Sequence, residues 1–222
     1  MSEAKTRSNS ALIKPISLVI AGINGRMGRA TIESIKGNES IQLVGAFGRS
    51  GAAYVGKSVQ ELVGVSGLNG SNPTIADNLE KCLANLKTMP DVLIDNTEAE
   101  SAVRHALAAL EHGIRPVIGT SGLTESHLKE LRAACAKSKI GALIVPNFSV
   151  GAILMINFAK QASRFFENIE IVETHKLGKV DAPSGTAMHT ARVISEVGAK
   201  LNKKFNENPI NEKELLSGSR GG

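Results

Sequence analysis

The chain has 222 residues, 42% hydrophobic and 21% charged, which is ordinary for a globular protein of one large domain or two modest ones. Aromatics make up only 3%, with no Trp and 22 Gly, so a core of Ala, Val, Ile and Leu suits an α/β sheet better than an all-β sandwich. The net charge of +5 would admit nucleic acid, a membrane surface or a small anion, but Lys and Arg are dispersed and stacking aromatics are few, which leaves the small anion.

Residues 1–14 are polar and lack an apolar stretch, so they read as a disordered tail rather than a secretory leader. No apolar run reaches the ~18 residues of a membrane span. The expectation is a cytoplasmic protein, or one of the plastid stroma if the tail is the remnant of a targeting segment. Cys82 and Cys135 fall far apart in apolar, helix-like text and read as buried thiols, with no disulfide framework or metal pair.

Ile16–Ile20 is a β-branched run followed by a glycine-rich turn. Met27, Ala30, Thr31 and Ile35 then recur at helical spacing, and Ile41–Phe47 is a second strand. Strand, turn, helix and strand within about thirty residues make a βαβ unit. The stretch 48–74 reads as loop with at most a short helix. Asp91–Asp95 is a buried-strand candidate. Ser101–His112 is a helix with Val103, Leu107 and Leu110 on one face, stopped by Gly113. Pro116–Gly119 is a strand, Thr124–Lys137 a helix with Thr124 as N-cap, and Ile140–Val145 a further strand. Such alternation predicts a Rossmann-type parallel sheet with helices on both faces over residues 15–146. A boundary is expected near Pro146. Gly151–Phe166 then reads as a long apolar helix, Asn168–Thr174 as a strand, and Ser184–Val197 as a helix. Residues 147–222 are thus expected to be a partial α+β domain for substrate binding and oligomerisation.

Gly22-x-x-Gly25-x-x-Gly28 is a variant of the dinucleotide fingerprint, and it stands where that fingerprint has meaning, after a strand and opening a helix. Gly22 would permit the tight turn, Gly25 the approach of a pyrophosphate, and Gly28 close packing of helix on strand. A purely structural turn is the alternative. At the end of the second strand an acid would hold the ribose 2′-OH of NADH. Here Phe47-Gly48-Arg49 lacks the acid and offers a guanidinium, which favours a 2′-phosphate and NADPH, with NADH possible. Arg49 as a solvated surface residue is the competing reading.

The densest chemistry runs from Glu173 to Ala187. His175 can donate a proton near neutrality, Lys176 carries full positive charge, and Lys179 is a donor unless strongly desolvated. Pro183-Ser184-Gly185-Thr186 reads as a capped helix start whose free N–H groups at Gly185 and Thr186 would bind a carboxylate. A basic surface loop is the alternative. His105, His112, His127 and His189 lie in helical text without ligand partners and read as solvated or core residues, so no metal is expected.

Four strings occur in order: Gly22-Ile23-Asn24-Gly25-Arg26-Met27-Gly28, Gly119-Thr120-Ser121-Gly122, Pro146-Asn147-Phe148-Ser149-Val150-Gly151, and His175 with Lys179-Val180-Asp181-Ala182-Pro183-Ser184-Gly185-Thr186-Ala187. Together they resemble the 4-hydroxy-tetrahydrodipicolinate reductase (dihydrodipicolinate reductase) family of the lysine/diaminopimelate pathway, from Ile16 onward. The resemblance implies that Gly22, Ile23, Asn24, Gly25, Arg26, Met27 and Arg49 hold the dinucleotide. It sets Gly119, Thr120 and Ser121 beside the nicotinamide, with Pro146, Asn147 and Phe148 at the hinge. It makes His175 the proton donor, Lys179 the second donor, and Gly185 and Thr186 the site of a substrate carboxylate, in a small dianion. The family often carries His-His where this chain has His175-Lys176, and Lys176 can neutralise a carboxylate but not act as an imidazole. Gly48 stands where many relatives carry the acid. Relatives continue past a stretch like Ser219-Arg220-Gly221-Gly222 with further strands, so a shortened chain is expected, with its homotetramer incomplete and its turnover poor. Two rivals remain: a relative of aspartate or homoserine dehydrogenase, and a non-catalytic NADPH-binding redox sensor.

Overall fold

A computed structural model describes residues 14–69, 72–120, 122–145, 147–175, 177–178 and 182–205. The chain divides into two compact units, the first ending at Val145 and the second beginning at position 146.

The first unit is a six-stranded sheet, every paired neighbour parallel, in the order β3-β2-β1-β4-β5-β6. Its strands are β1 (Ile16–Ala21), β2 (Ile41–Phe47), β3 (Ile75–Ala76), β4 (Val92–Asp95), β5 (Arg115–Ile118) and β6 (Leu143–Ile144). The helices are α1 (Arg26–Ile35), α2 (Val59–Val63), α3 (Leu79–Ala84), α4 (Ala99–Glu111) and α5 (Glu125–Ser138). The period-two alternation of β1 feeds both faces. Leu18 and Ile20 pack with Ile32, Ile35 and Val59 of α1 and α2, whereas Val19 and Ala21 pack with Leu79, Cys82 and Leu83 of α3 and Ala109 of α4. A third cluster joins Ala102, Val103 and Ala106 of α4 to Ile118 and to Leu131 of α5.

Several details depart from the sequence reading. The buried face of α1 is Gly28, Ile32 and Ile35, at i, i+4 and i+7, and Met27 is exposed. The physical cause is the close approach of Gly28 to the turn below it, which dictates the inward side of the helix. β2 holds a bulge: Leu18 pairs with Leu43 but Val19 pairs with Gly45. The extra residue turns Phe47 to the face opposite Leu43. Gly45 is needed beside it, because a Cβ there would lie 2.6 Å from Cys82 Sγ. β3 and α3 carry too few residues for a periodic signal; α3 is marked only by its Asn78 cap, whose side chain accepts from the Lys81 N–H at 2.8 Å. β6 is shorter than expected, because Lys139 closes α5 in the left-handed region at φ 57 and the chain needs residues 140–142 to turn back. Cys82 is buried, while Cys135 is only half-buried.

The second unit holds α6 (Val150–Ala162) and α7 (Gly185–Lys200), which pack on one another. Ser149 caps α6 and Ser184 caps α7 through their side chains. α6 ends before Phe166, with Phe165 and Phe166 in the exposed turn beyond it. Residues 168–174 alternate in polarity yet form no strand among the described residues. A strand requires a ladder partner, and Val172 is 84% exposed. No helix of the described residues is long and apolar enough to cross a membrane.

Candidate active site

β1 ends on Ala21 and the chain turns at Gly22, which adopts φ +72, a conformation cheap only for glycine. The Gly25 N–H donates back to the Gly22 carbonyl at 3.0 Å. A Cβ on Gly28 would lie 2.4 Å from that same carbonyl oxygen and 2.7 Å from that of Ile23. α1 therefore starts pressed onto the turn. Gly25 caps it without a side-chain bond, and its first turn holds no acid, so the amides there present an unshielded partial positive charge to an anion. Asn24 Oδ1 accepts from Arg29 Nη2 at 2.8 Å, which steadies the turn.

Above this turn lies a cleft of about 760 Å³ at the carboxyl ends of β1, β2, β4 and β5. Among the residues expected to hold a dinucleotide, it is lined by Gly22, Asn24, Gly25, Arg49 and Thr120. Ile23, Arg26, Met27 and Gly119 are not in its wall: the Ile23 side chain is buried in the core, Arg26 and Met27 are exposed on α1, and the Gly119 amide is tied to the Asp95 carbonyl at 2.8 Å. Ser121 and Pro146 lie outside the described residues. The strand order reverses between β1 and β4, and a cleft at that switch point is where an open α/β sheet takes its ligand.

The missing acid after β2 has a steric counterpart. A Cβ on Gly48 would lie 2.4 Å from the Tyr54 ring, and the Tyr54 hydroxyl accepts the Arg49 N–H at 3.3 Å. The tyrosine thus fills the space an acid would use. Arg49 meets Glu98 at 3.8 Å, both side chains being more than four-fifths exposed. Such a pair is weak, and Arg49 can leave it for a phosphate.

Sequence reasoning missed the wall after β4 and on α4. Asp95 is fully buried; Oδ1 accepts the Thr97 N–H at 2.8 Å and Oδ2 meets His105 Nδ1 at 2.7 Å. The His105 ring packs edge-on to Phe47, centroids 5.0 Å apart. His105 therefore has a firm partner and lines the cleft, which adds a place in the cleft wall to the solvated or core residue read from the sequence. His127 has partners too: it completes the capping box of α5 and meets Glu100 at 3.2 Å. The available signal was an Asp closing a strand, with a His ten residues on, one helical turn or two into the next element. Two buried oxygens, Asp77 Oδ1 and Asn96 Oδ1, lack hydrogen-bond partners among the described residues, and both of these residues line the cleft. Orphaned buried acceptors beside an anion-ready turn fit a ligand that brings both phosphate and N–H or O–H donors.

In the second unit the structure joins residues that the sequence left separate. The Ser184 N–H donates to Glu173 Oε1 at 2.9 Å and to Oε2 at 3.2 Å, and His175 Nε2 stands 3.2 Å from Glu173 Oε2. Hydrogen bonds from the Ser184 hydroxyl and amide hold the Glu173 carboxyl below the ordinary glutamate range, with His175 adding to the effect. Glu173, given no role by the sequence, thus ties His175 to the start of α7. Gly185 opens that helix, and Thr186 Oγ1 accepts from Asn147 Nδ2 at 3.2 Å. Asn147, expected at the cofactor, is in contact with the expected carboxylate site. Phe148 is exposed. Lys176 and Lys179 lie outside the described residues. Among the described residues no cluster of His, Cys, Asp and Glu could hold a metal ion.

A parallel sheet in this order, with a glycine turn at its switch point, defines the Rossmann class of dinucleotide-binding proteins. The family models for the dihydrodipicolinate reductase N-terminus and C-terminus match residues 16–148 and 151–218. The chain is 42% identical to the 4-hydroxy-tetrahydrodipicolinate reductase of Geobacillus kaustophilus, covering 93% of this chain and 73% of that protein. It is 43% identical to the enzyme of the same name from Bacillus subtilis, covering 93% and 72%. Among solved structures it matches a dipicolinate-bound dihydrodipicolinate reductase from Paenisporosarcina with a TM-score of 0.68 and 33% identity, over 94% of this chain and 74% of that one. The chain belongs to the dihydrodipicolinate reductase family.

Proposed function

We propose that this chain reduces 4-hydroxy-tetrahydrodipicolinate to tetrahydrodipicolinate with NAD(P)H, in lysine and diaminopimelate biosynthesis. The observation that carries the reading is the glycine turn of Gly22, Gly25 and Gly28 opening α1 at the sheet's switch point, in a chain that also carries the family's His175 and Ser184-Gly185-Thr186 helix start.

The nicotinamide, when bound, supplies the hydride. The chain's own residues do the rest. The amides at the start of α1 bind the pyrophosphate, and Arg49 gives the adenosine ribose a cation matched to a 2′-phosphate, so NADPH is the preferred cofactor. The start of α7, with the amides of Gly185 and Thr186, holds a carboxylate of a small dianionic substrate. Asn147 orients the Thr186 hydroxyl from one side. His175 gives the substrate its proton. With Nε2 engaged by Glu173, Nδ1 is the ring atom left to donate. Lys179 is the second donor and Lys176 neutralises a carboxylate. The dianion accounts for the basic balance of the chain, and free thiols at Cys82 and Cys135 fit the cytoplasm.

The test is oxidation of NADPH by the chain with freshly generated 4-hydroxy-tetrahydrodipicolinate. Loss of nicotinamide absorbance only when chain and substrate are both present is the expected result. A chain that binds NADPH tightly but never oxidises it with this substrate would overturn the reading.

A further inference from the structure

We propose that Asn147 is a positioning residue for the substrate's carboxylate. It fixes the Thr186 hydroxyl as a donor, so that the start of α7 meets the carboxylate with three donors: the amides of Gly185 and Thr186 and that hydroxyl. The proposal rests on the reading of the α7 start as the carboxylate site and adds to it the residue that sets the hydroxyl's direction.

The orientation of the Asn147 amide follows from its two bonds. The Ser149 N–H reaches it at 2.7 Å, a turn closed by the side chain two residues back. An N–H can meet only an acceptor, so the atom there is Oδ1, and Nδ2 is the atom 3.2 Å from Thr186 Oγ1. Ser149 is itself the cap of α6, so the amide is anchored at a helix end. An amide nitrogen donates and does not accept. Thr186 Oγ1 must therefore accept, and its single proton points away from Asn147. Among the described residues that proton meets no acceptor; the backward bond within α7 is made by Thr190, whose hydroxyl donates to the Thr186 carbonyl at 2.8 Å.

The neighbouring donors can be assigned one by one. A helix leaves its first amides without partners inside it. The Ala187 N–H goes to Ser184 Oγ at 3.1 Å, and that of Met188 to the Ser184 carbonyl at 2.9 Å. Ser184 donates its own N–H to Glu173. Among the described residues, Gly185 and Thr186 keep theirs. The first turn holds no acid, so no charge there opposes an incoming anion. Two adjacent amides and a hydroxyl of the same turn match the two oxygens of one carboxylate. A hydroxyl oriented beforehand loses no torsional freedom on binding. Without Asn147 it could turn its oxygen, rather than its proton, toward the carboxylate.

The family resemblance places Asn147 with the cofactor, whereas both of these bonds are made within the second unit. The experiment separates the two roles. It is a double-mutant cycle in the full chain, read as the KM for 4-hydroxy-tetrahydrodipicolinate, kcat and the Kd for NADPH. Asn147→Ser keeps a hydroxyl for the Ser149 amide but falls short of Thr186. Thr186→Val keeps the branched shape and removes the hydroxyl. We expect Thr186→Val to raise KM roughly tenfold and Asn147→Ser roughly threefold, with kcat and NADPH affinity unchanged. The double variant is expected to match Thr186→Val alone, because Asn147 acts through the hydroxyl that is already gone. Melting temperatures are measured alongside. If the serine variant unfolds early, Asn147→Asp, which keeps the acceptor for Ser149, replaces it in the same cycle, and its effect on KM must shrink in the valine background. The proposal is overturned by a serine variant with the wild-type KM, by losses that multiply in the double variant, or by weakened NADPH binding, which would return Asn147 to the cofactor. A Thr186→Val variant with an unaltered KM, or a wild type that neither turns over nor binds the substrate, removes the reading of α7 as the carboxylate site, and with it this proposal.

Discussion

The Ser184 amide and the Glu173 carboxylate are bonded at 2.9 Å across eleven residues of chain, which locks the segment bearing His175 to the first turn of α7. Replacing Glu173 by Gln keeps the shape and removes the charge. We expect turnover to fall by about tenfold or more, as for a lost charge-assisted contact to an acid catalyst, with NADPH affinity unchanged. Steady-state kinetics beside a dinucleotide titration check this; equal losses in both would show that the effect is general damage.

The acid limb of stability follows from two carboxylates. Hydrogen bonds from the Ser17 hydroxyl and amide lower the pKa of Asp91, and those from Ser184 lower that of Glu173. A carboxyl depressed in the folded state stabilises fully above its unfolded pKa, about 3.9 for Asp and 4.3 for Glu, and loses that contribution as pH falls through the folded value. Melting temperature should therefore drop below about pH 4, and Asp91→Asn should flatten the drop. An unaltered pH profile in that variant would contradict the assignment.

Gly28→Ala places a methyl group 2.4 Å from the Gly22 carbonyl oxygen. The obstacle is backbone, so the turn or α1 must move. We expect a loss of about 1–3 kcal/mol of stability and loss of dinucleotide binding. Denaturant unfolding with and without NADPH measures both.

Arg49→Ala should raise the KM for NADPH by roughly ten- to a hundredfold while changing that for NADH little, because a bidentate guanidinium–phosphate contact is lost only with the phosphorylated cofactor. Equal effects on both cofactors would mean that Arg49 does not meet the 2′-phosphate.

The two cysteines should differ in reactivity. Burial pushes the Cys82 thiol up to about 11, and its sulfur is packed against Gly45, so little thiolate forms near neutrality. Cys135 is half-buried. Alkylation followed by mass spectrometry should modify Cys135 first and Cys82 only on unfolding; early modification at Cys82 would show that α3 opens readily.

The strands β1, β2, β4 and β5, the glycine turn, and helices α4, α5 and α7 were legible because each carries a period or a cap in contiguous text. Ser184 and Thr124 are examples: a side chain bonding an amide three residues on needs no distant partner. β3, with two residues, and the β2 bulge left no such mark. Residues 168–174 show the converse, since alternation there signals a strand that a ladder partner must complete.

Local chemistry alone specified the alternating α/β order, the glycine turn at Gly22, the lack of an acid at Gly48, and the run of polar residues from Glu173 to Thr186. Those features depend on residues within one turn or one loop, where covalent spacing dictates what can meet. Tertiary structure decided which groups stand together: Asp95 with His105, Glu173 with Ser184, and Tyr54 in the space an acid would occupy. Such pairings arise when parallel strands bring their carboxyl ends together across crossover helices, and neither composition nor periodicity encodes which side chain will stand opposite which.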